Sequence, residues 1–275
     1  MIKVGEYNDL IVEKFVDFGL YLLADGDSIL LPKKYVPENI EVGDSIKVFI
    51  YTDSEDRLIA TTLNPIAVVG DFAPLVVKDV NNYGAFMEWG LEKDLFVPFK
   101  EQSKRMQPGK KYVVKVLLDP RTNRVIGSTK LSFFFKKNEI ELKTGEEVDL
   151  LIYDQTDLGY QAIINDKYSG MLYYNEVFKK VEVGSYLTGY VKNIRPDNKI
   201  DLTINKVGKD SVDDAREQVL EALKKNNNFL PLNDDSDPEQ IKKQLQMSKK
   251  TFKKAIGGLY KEKLIEFDDN GIRLK

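Results

Sequence analysis

Between Tyr83 and Arg124 the sequence interleaves aromatic rings with cations: Tyr83, Phe86 and Phe99 occur among Lys93, Lys100, Lys104, Arg105, Lys110, Lys111, Lys115, Arg121 and Arg124. This mixture suits an unpaired polynucleotide, because every base offers a π-face to a ring and every linkage offers a charge to a cation. Catalysis has far less to work with. The chain contains no cysteine and no histidine, which removes disulfides, thiolate zinc sites, cysteine nucleophiles and all imidazole acid-base chemistry. Carboxylates holding a divalent metal are the main remaining route to phosphodiester cleavage. The best acidic cluster, Asp234, Asp235 and Asp237, stands just before Pro238, where loop solvation and helix capping account for it. Asp268 and Asp269 read as turn residues, and Gly257-Gly258 lacks the lysine spacing of a phosphate-binding loop. The expectation is a non-catalytic chain with no metal and no cofactor.

The net charge of −3 conceals an uneven distribution. Residues 1–64 carry −6, residues 65–140 carry +5, residues 141–207 carry −3 and the remainder +1. A polyanion site should therefore be local and lie in the second stretch. The first ten residues mix charges with glycine, and no run of about 18 apolar residues occurs anywhere. A soluble, cytoplasmic protein with no membrane partner is expected.

The elements that position these side chains come in three copies. The first runs from Val16-Asp17-Phe18-Gly19-Leu20-Tyr21 through Leu31-Pro32 and Val42-Gly43-Asp44 to Arg57-Leu58-Ile59-Ala60-Thr61. The second runs from Val80 through Tyr83-Gly84-Ala85-Phe86 and Val97-Pro98, then Pro108-Gly109-Lys110, to Arg124-Val125-Ile126-Gly127-Ser128. The third runs from Thr156-Asp157-Leu158-Gly159-Tyr160-Gln161 through Leu172-Tyr173 and Val183-Gly184-Ser185 to Lys199-Ile200-Asp201-Leu202-Thr203. The two marked glycines are 24, 25 and 25 residues apart in the three copies, a register that identifies an internal repeat. Each copy is built of short β-branched and aromatic segments broken by Gly, Pro, Asn or Asp, the pattern of a small all-β unit. Five strands in each stretch fit a Greek-key OB barrel, with Gly19, Gly84 and Gly159 as strand bends.

This pattern resembles the RNA-binding domain repeated in ribosomal protein S-one, whose motif is an aromatic, glycine, a small residue and a second aromatic. A Gly-Leu-Val-His-Ile-Ser-like segment, a Gly-Asp and a closing basic strand follow. Tyr83-Gly84-Ala85-Phe86 and Phe96-Val97-Pro98-Phe99-Lys100 match it best. The resemblance implies that Tyr83, Phe86 and Phe99 are stacking residues, and that Phe18 and Tyr21 are their counterparts in the acidic first copy. Leu158 and Gln161 replace the aromatic pair in the third copy, where Tyr160, Tyr173 and Tyr174 offer a different platform. The family histidine is replaced by Pro32, Pro98 and Tyr173. Three such domains followed by a winged helix resemble the conserved virulence factor B family of bacterial RNA-binding regulators, over nearly the whole chain.

From about Ser211 the apolar period changes from two to 3.6 at Val212, Ala215, Val219, Leu220 and Leu223, which marks a new domain. Phe229-Leu230-Pro231-Leu232 is read as the end of that helix. Asp237-Pro238 opens a second helix through Leu245, and Ser248 caps a third from about Lys249 to Lys263. A hairpin follows, in which Asn270-Gly271 is expected to supply the positive φ of the turn. Six lysines against one glutamate between Lys249 and Lys263 fit either a groove-entering helix or a solvated face around Phe252, Ile256, Leu259 and Tyr260.

The fold class expected is multidomain and mainly β with a C-terminal α+β domain: three tandem five-stranded OB-type barrels, at 1–64, 65–138 and 139–208, then a winged helix at 209–275. The function expected is binding of single-stranded RNA in post-transcriptional regulation. The predicted site is Tyr83, Phe86 and Phe99 with Lys93, Lys100, Lys104, Arg105, Lys110, Lys115 and Arg124. Phe18, Tyr21, Lys249, Lys250, Lys253 and Lys254 form a secondary nucleic-acid-binding set, the lysines being suited to duplex nucleic acid. A DNA-binding transcription regulator and a protein scaffold remain as alternatives. Phe133, Phe134 and Phe135, at the joint between copies, are expected to pack inside, and Trp89 to be either rim or core.

Overall fold

Short alternating apolar segments can satisfy their backbone hydrogen bonds and lose their exposed edges together by closing into barrels. This chain does so three times. The computed structural model describes residues 1–24, 26–177, 180–205, 210–268 and 270–275. The first barrel comprises β1 (Tyr7–Val16), β2 (Gly19–Ala24), β3 (Asp27–Pro32), β4 (Ser45–Thr52) and β5 (Leu58–Thr61). The second comprises β6 (Phe72–Val80), β7 (Gly84–Glu88), β8 (Leu95–Pro98), β9 (Lys111–Leu118) and β10 (Val125–Ser128). The third comprises β11 (Glu147–Thr156), β12 (Gly159–Ile164), β13 (Tyr168–Tyr173), β14 (Tyr186–Ile194) and β15 (Ile200–Thr203). In each barrel the first strand pairs with the second and fourth, and the third pairs in parallel with the fifth.

The repeated glycines have two separate jobs. The first strand of each barrel carries an irregularity, between Val12 and Lys14, Val77 and Asp79, and Ile152 and Asp154. The residue before it accepts a backbone bond from the turn that leads into the fourth strand: Gly43 donates to Val12 at 2.9 Å, Gly109 to Val77 at 2.8 Å and Gly184 to Ile152 at 2.7 Å. These glycines have φ of +96°, +77° and +88°, a region that disfavours any Cβ. At Gly19, Gly84 and Gly159 the reason is space. A Cβ there would lie 2.1, 2.3 and 2.3 Å from the carbonyl oxygens of Leu31, Val97 and Leu172 on the neighbouring strand.

The chain forms two compact units, Met1–Phe135 and Lys136–Lys275. In the first, Phe49 and Tyr51 of β4 pack in the same apolar cluster as Met87, Trp89 and Leu95 of the second barrel. Trp89 is only 2% exposed, which settles its place in the core. Its ring meets Phe49 edge-on, with centroids 5.8 Å apart, and its indole N–H donates to the Lys93 carbonyl at 2.6 Å. Burial pushes the Tyr51 phenol up to about 12.

In the second unit the third barrel closes around Leu150, Ile152, Ile164, Val191 and Leu202. Beyond it come α1 (Asp210–Lys225), β16 (Phe229–Leu230), α2 (Pro238–Leu245), α3 (Lys249–Lys261), β17 (Ile265–Asp268) and β18 (Gly271–Leu274), a winged helix. Asp237 caps α2 by accepting from Glu239 N–H, and Ser248 caps α3 by accepting from Thr251 N–H. One face of α3 buries Phe252, Ile256 and Leu259 against Val219 and Leu223 of α1.

Three expectations change here. Phe229-Leu230 is a strand, pairing with Ile272 and Arg273 to complete a three-stranded sheet. Two residues are too few to show a period, so the element was invisible in the pattern. Gly271 pairs with Asp268 inside the hairpin, and it is glycine because a Cβ would lie 2.1 Å from the Leu230 carbonyl oxygen; Asp269 of the turn lies outside the described residues. Phe133 is 76% exposed. The short 3-10 turn Leu131–Phe133 buries Leu131 and turns Phe133 outward, while Phe135 stacks on Phe72 with centroids 5.8 Å apart. The boundary drawn between 208 and 209 also lies outside the described residues.

Candidate nucleic-acid interface

Because strands alternate, residues of the second and third strands that do not fill a barrel must face outward. Register makes the three barrels comparable position by position, starting from the pairs Gly19–Pro32, Gly84–Pro98 and Gly159–Tyr173. Two positions further along each second strand, Tyr21 faces Leu30, Phe86 faces Phe96 and Gln161 faces Met171. The residue preceding the glycine is Phe18, Tyr83 or Leu158. The second barrel alone places an aromatic at all three positions. Phe86 and Phe96 are half-buried with ring centroids 5.1 Å apart. Tyr83, at the hairpin tip, is 76% exposed. Its backbone N–H and that of Gly84 donate to Asn81 Oδ1 at 2.8 and 3.2 Å, an Asx turn that fixes the tip.

These rings line a groove of about 400 Å³. Tyr51 and Thr52 of the first barrel form one wall, and Trp89, Lys93, Asp94, Arg124 and Val125 contribute to the rest. Lys93 reaches across the wall: its ammonium donates to the carbonyls of Thr52 at 2.9 Å and Asp53 at 2.7 Å, and burial lowers its pKa. Arg124 pairs with Asp56 of the first barrel, and that hydrogen bond holds the Asp56 carboxyl below the usual range. Two cations expected to meet phosphates thus also join the barrels.

The other predicted residues do not line this groove. Arg105 lies over the Phe99 ring at 3.8 Å, forming a separate cation–π pair. Lys100 meets Asp119 at 3.4 Å. Lys115 lies over Phe72 at 3.9 Å and donates to the Gly70 carbonyl. Lys104 and Lys110 are exposed in the loop that leads to β9. Phe96 lines the groove as well and is absent from the set expected from the sequence. Its signal was present: a hairpin anchored by Gly84 and Pro98 places Phe96 directly opposite Phe86.

In the first barrel Phe18 is 57% exposed, its ring 6.4 Å from that of Tyr21, over which Lys14 sits at 5.3 Å. On α3, Lys250, Lys253 and Lys254 are exposed. Lys249 donates to the Asp235 carbonyl at 3.1 Å, and Lys253 lies 3.8 Å from Asp234. Among the described residues no group of three or more His, Cys, Asp or Glu side chains could hold a metal ion. Among the same residues, no helix is long and apolar enough to cross a membrane.

Comparison with known proteins agrees with this architecture at both ends. Residues 4–63 match the S1 domain and residues 217–274 the CvfB-like winged helix domain. Both are nucleic-acid-binding domain types. The Bacillus subtilis protein YitL is 27% identical, over 98% of this chain and 93% of its own length. Conserved virulence factor B of Staphylococcus epidermidis is 26% identical, over 92% of this chain and 89% of its own. A solved structure from Streptococcus pneumoniae, described as a multidomain protein with nucleic acid binding domains, is 23% identical with a TM-score of 0.46, covering 99% of this chain and 98% of its own. With an S1 domain at one end, a CvfB-like winged helix domain at the other and matches over nearly the full length, this chain is similar throughout to the Bacillus protein YitL and to conserved virulence factor B.

Proposed function

We propose that the protein binds single-stranded RNA without cleaving it, chiefly on the outward face of β7 and β8, and acts in the cytoplasm as a post-transcriptional regulator. The observation that carries this reading is the set of Tyr83, Phe86 and Phe96 on one open groove. Stacking on such rings contributes about 1–3 kcal/mol per base, enough to bind unpaired bases beside an acidic neighbouring barrel. The +5 charge of residues 65–140 supplies the electrostatic attraction that stacking lacks.

The test is fluorescence anisotropy of labelled single-stranded RNA with the full chain. Tyr83→Ala combined with Phe86→Ala lowers affinity about a hundredfold, while alanine at Lys249, Lys250, Lys253 and Lys254 together costs less. The reverse order, with duplex DNA bound by the wild type, supports a second reading in which exposed Lys250 and Lys254 of α3 enter a groove. Labelled RNA stays full length in magnesium; shortening would overturn the non-catalytic part.

A further inference from the structure

A carboxylate is an unexpected neighbour for a stacking platform meant to hold a polyanion. Asp94 stands two residues before Phe96, and its side chain, 20% exposed, lines the same groove as Phe86 and Phe96. It repels phosphate, so a favourable role for it in the groove requires hydrogen-bond donors on the base. Its one ionic contact among the described residues is Lys78, 3.3 Å from Oδ1, whose own side chain is 61% exposed. Such open ion pairs contribute little, and Oδ2 accepts no bond among the described residues. At the hairpin end of the groove Asn81 has the opposite polarity. Its Oδ1 is taken by the backbone N–H groups of Tyr83 and Gly84, so its amide nitrogen is the atom left to donate.

We propose that this groove selects guanine, with Asp94 as the specificity-determining residue; the proposal rests on the RNA-binding reading above. Unpaired bases are read on their Watson–Crick edges while stacked on aromatic side chains. Guanine presents two adjacent donors there, N1–H and the exocyclic amino group, which match the two oxygens of a carboxylate. Its carbonyl O6 suits the Asn81 amide nitrogen. Adenine and cytosine each offer one amino group beside a ring acceptor that the carboxylate repels, and uracil offers one N–H between two carbonyls. At about 400 Å³ the groove falls within the range of small-ligand sites, roughly 300–1,000 Å³, and has room for a purine.

The experiment titrates the full chain into fluorescein-labelled oligouridines that carry one central guanine, inosine or adenine. Wild type binds the guanine strand roughly tenfold more tightly than the adenine strand, the discrimination expected of one bidentate pair. Inosine, which keeps N1–H and lacks the amino group, falls between them. Asp94→Asn abolishes the preference by weakening the guanine strand, while the adenine strand binds at least as tightly as it does to wild type because the carboxylate that repelled it is gone; Lys78→Ala retains the preference. Circular dichroism melting of both variants separates loss of recognition from loss of fold, and Asp94→Glu supplies a carboxylate in a second geometry. Equal binding of the guanine and adenine strands by wild type overturns guanine selection and leaves RNA binding intact. Binding to none of the three overturns both.

Discussion

The second and third barrels share a frame and differ in the surface it carries. Both close in the same strand order, both have an irregular first strand, and both require glycine where the second strand meets the third. On the outward face the second barrel presents Tyr83, Phe86, Phe96 and Phe99, where the third presents Leu158, Gln161, Met171 and Tyr174. The tyrosines of the third barrel are engaged with their own barrel. Tyr173 OH accepts from Arg195 at 2.6 Å, and Tyr174 OH donates to the Thr156 carbonyl at 2.8 Å. Strand alternation makes the two properties separable: inward residues and glycines determine closure, while outward residues can change without disturbing it.

If the frame is common, breaking it has similar consequences in both barrels. Gly84→Ala and Gly159→Ala each force a Cβ to within 2.3 Å of a carbonyl oxygen and should each cost about 3 kcal/mol or more, as strained core substitutions do. Amide hydrogen exchange resolves the loss to the affected barrel. A mild effect in one barrel alone would mean that its strands can separate and that the frames are not equivalent. A smaller effect is expected at Lys93, which ties the groove of the second barrel to Thr52 and Asp53. Lys93→Met keeps the apolar stem and removes charge-assisted hydrogen bonds, so the first unit should lose about 2 kcal/mol. Exchange rates in residues 136–275 should not change. The comparison is sharpened by transplanting the surface: Gln161→Phe with Met171→Phe gives the third barrel the facing pair found in the second. Affinity for single-stranded RNA should rise severalfold, about one stacked base at the lower end of its range, with the melting temperature unchanged.

The barrels were legible in the sequence because glycine is demanded twice per repeat for reasons that no other residue meets. That fixed the 24- and 25-residue register and, through it, the strand order. The caps at Asp237 and Ser248 were legible for a similar reason, since each is a local bond between a side chain and a nearby N–H. The exposure of Phe133 and the pairing of Phe229-Leu230 depend on contacts remote in sequence, which local pattern does not contain. Of the three rings that line the groove, Tyr83 and Phe86 followed from the motif, whereas Phe96 required the hairpin register. The cations divide between the groove and other surfaces of the barrel. Proximity in sequence grouped Lys93 and Arg124 with Lys100, Arg105 and Lys115, yet alternation and loop direction send the last three away from the groove.

The smallest effect concerns acid, and it distinguishes the third barrel's approach from the others. Glu141 receives Lys167 at 2.5 Å and Lys136 at 3.2 Å. These two ammonium groups hold its carboxyl at about 2, against an ordinary 4.5. A carboxyl with a folded pKa below its unfolded one stabilises the folded state above the unfolded value and loses that contribution as pH falls towards the folded value. Wild type and Glu141→Gln should therefore differ most above pH 4.5 and converge as pH approaches 2. Added salt should shrink the difference, since the pairs are exposed. The measurement is exchange of the Lys136 amide, which donates to the Lys167 carbonyl at 2.9 Å and so reports directly on whether the segment from Lys136 to Glu141, a strap tied at both ends to Lys167, remains closed. A difference that persists unchanged to low pH would mean that Glu141 acts through its shape, and the strap would have to be attributed to the backbone bond alone.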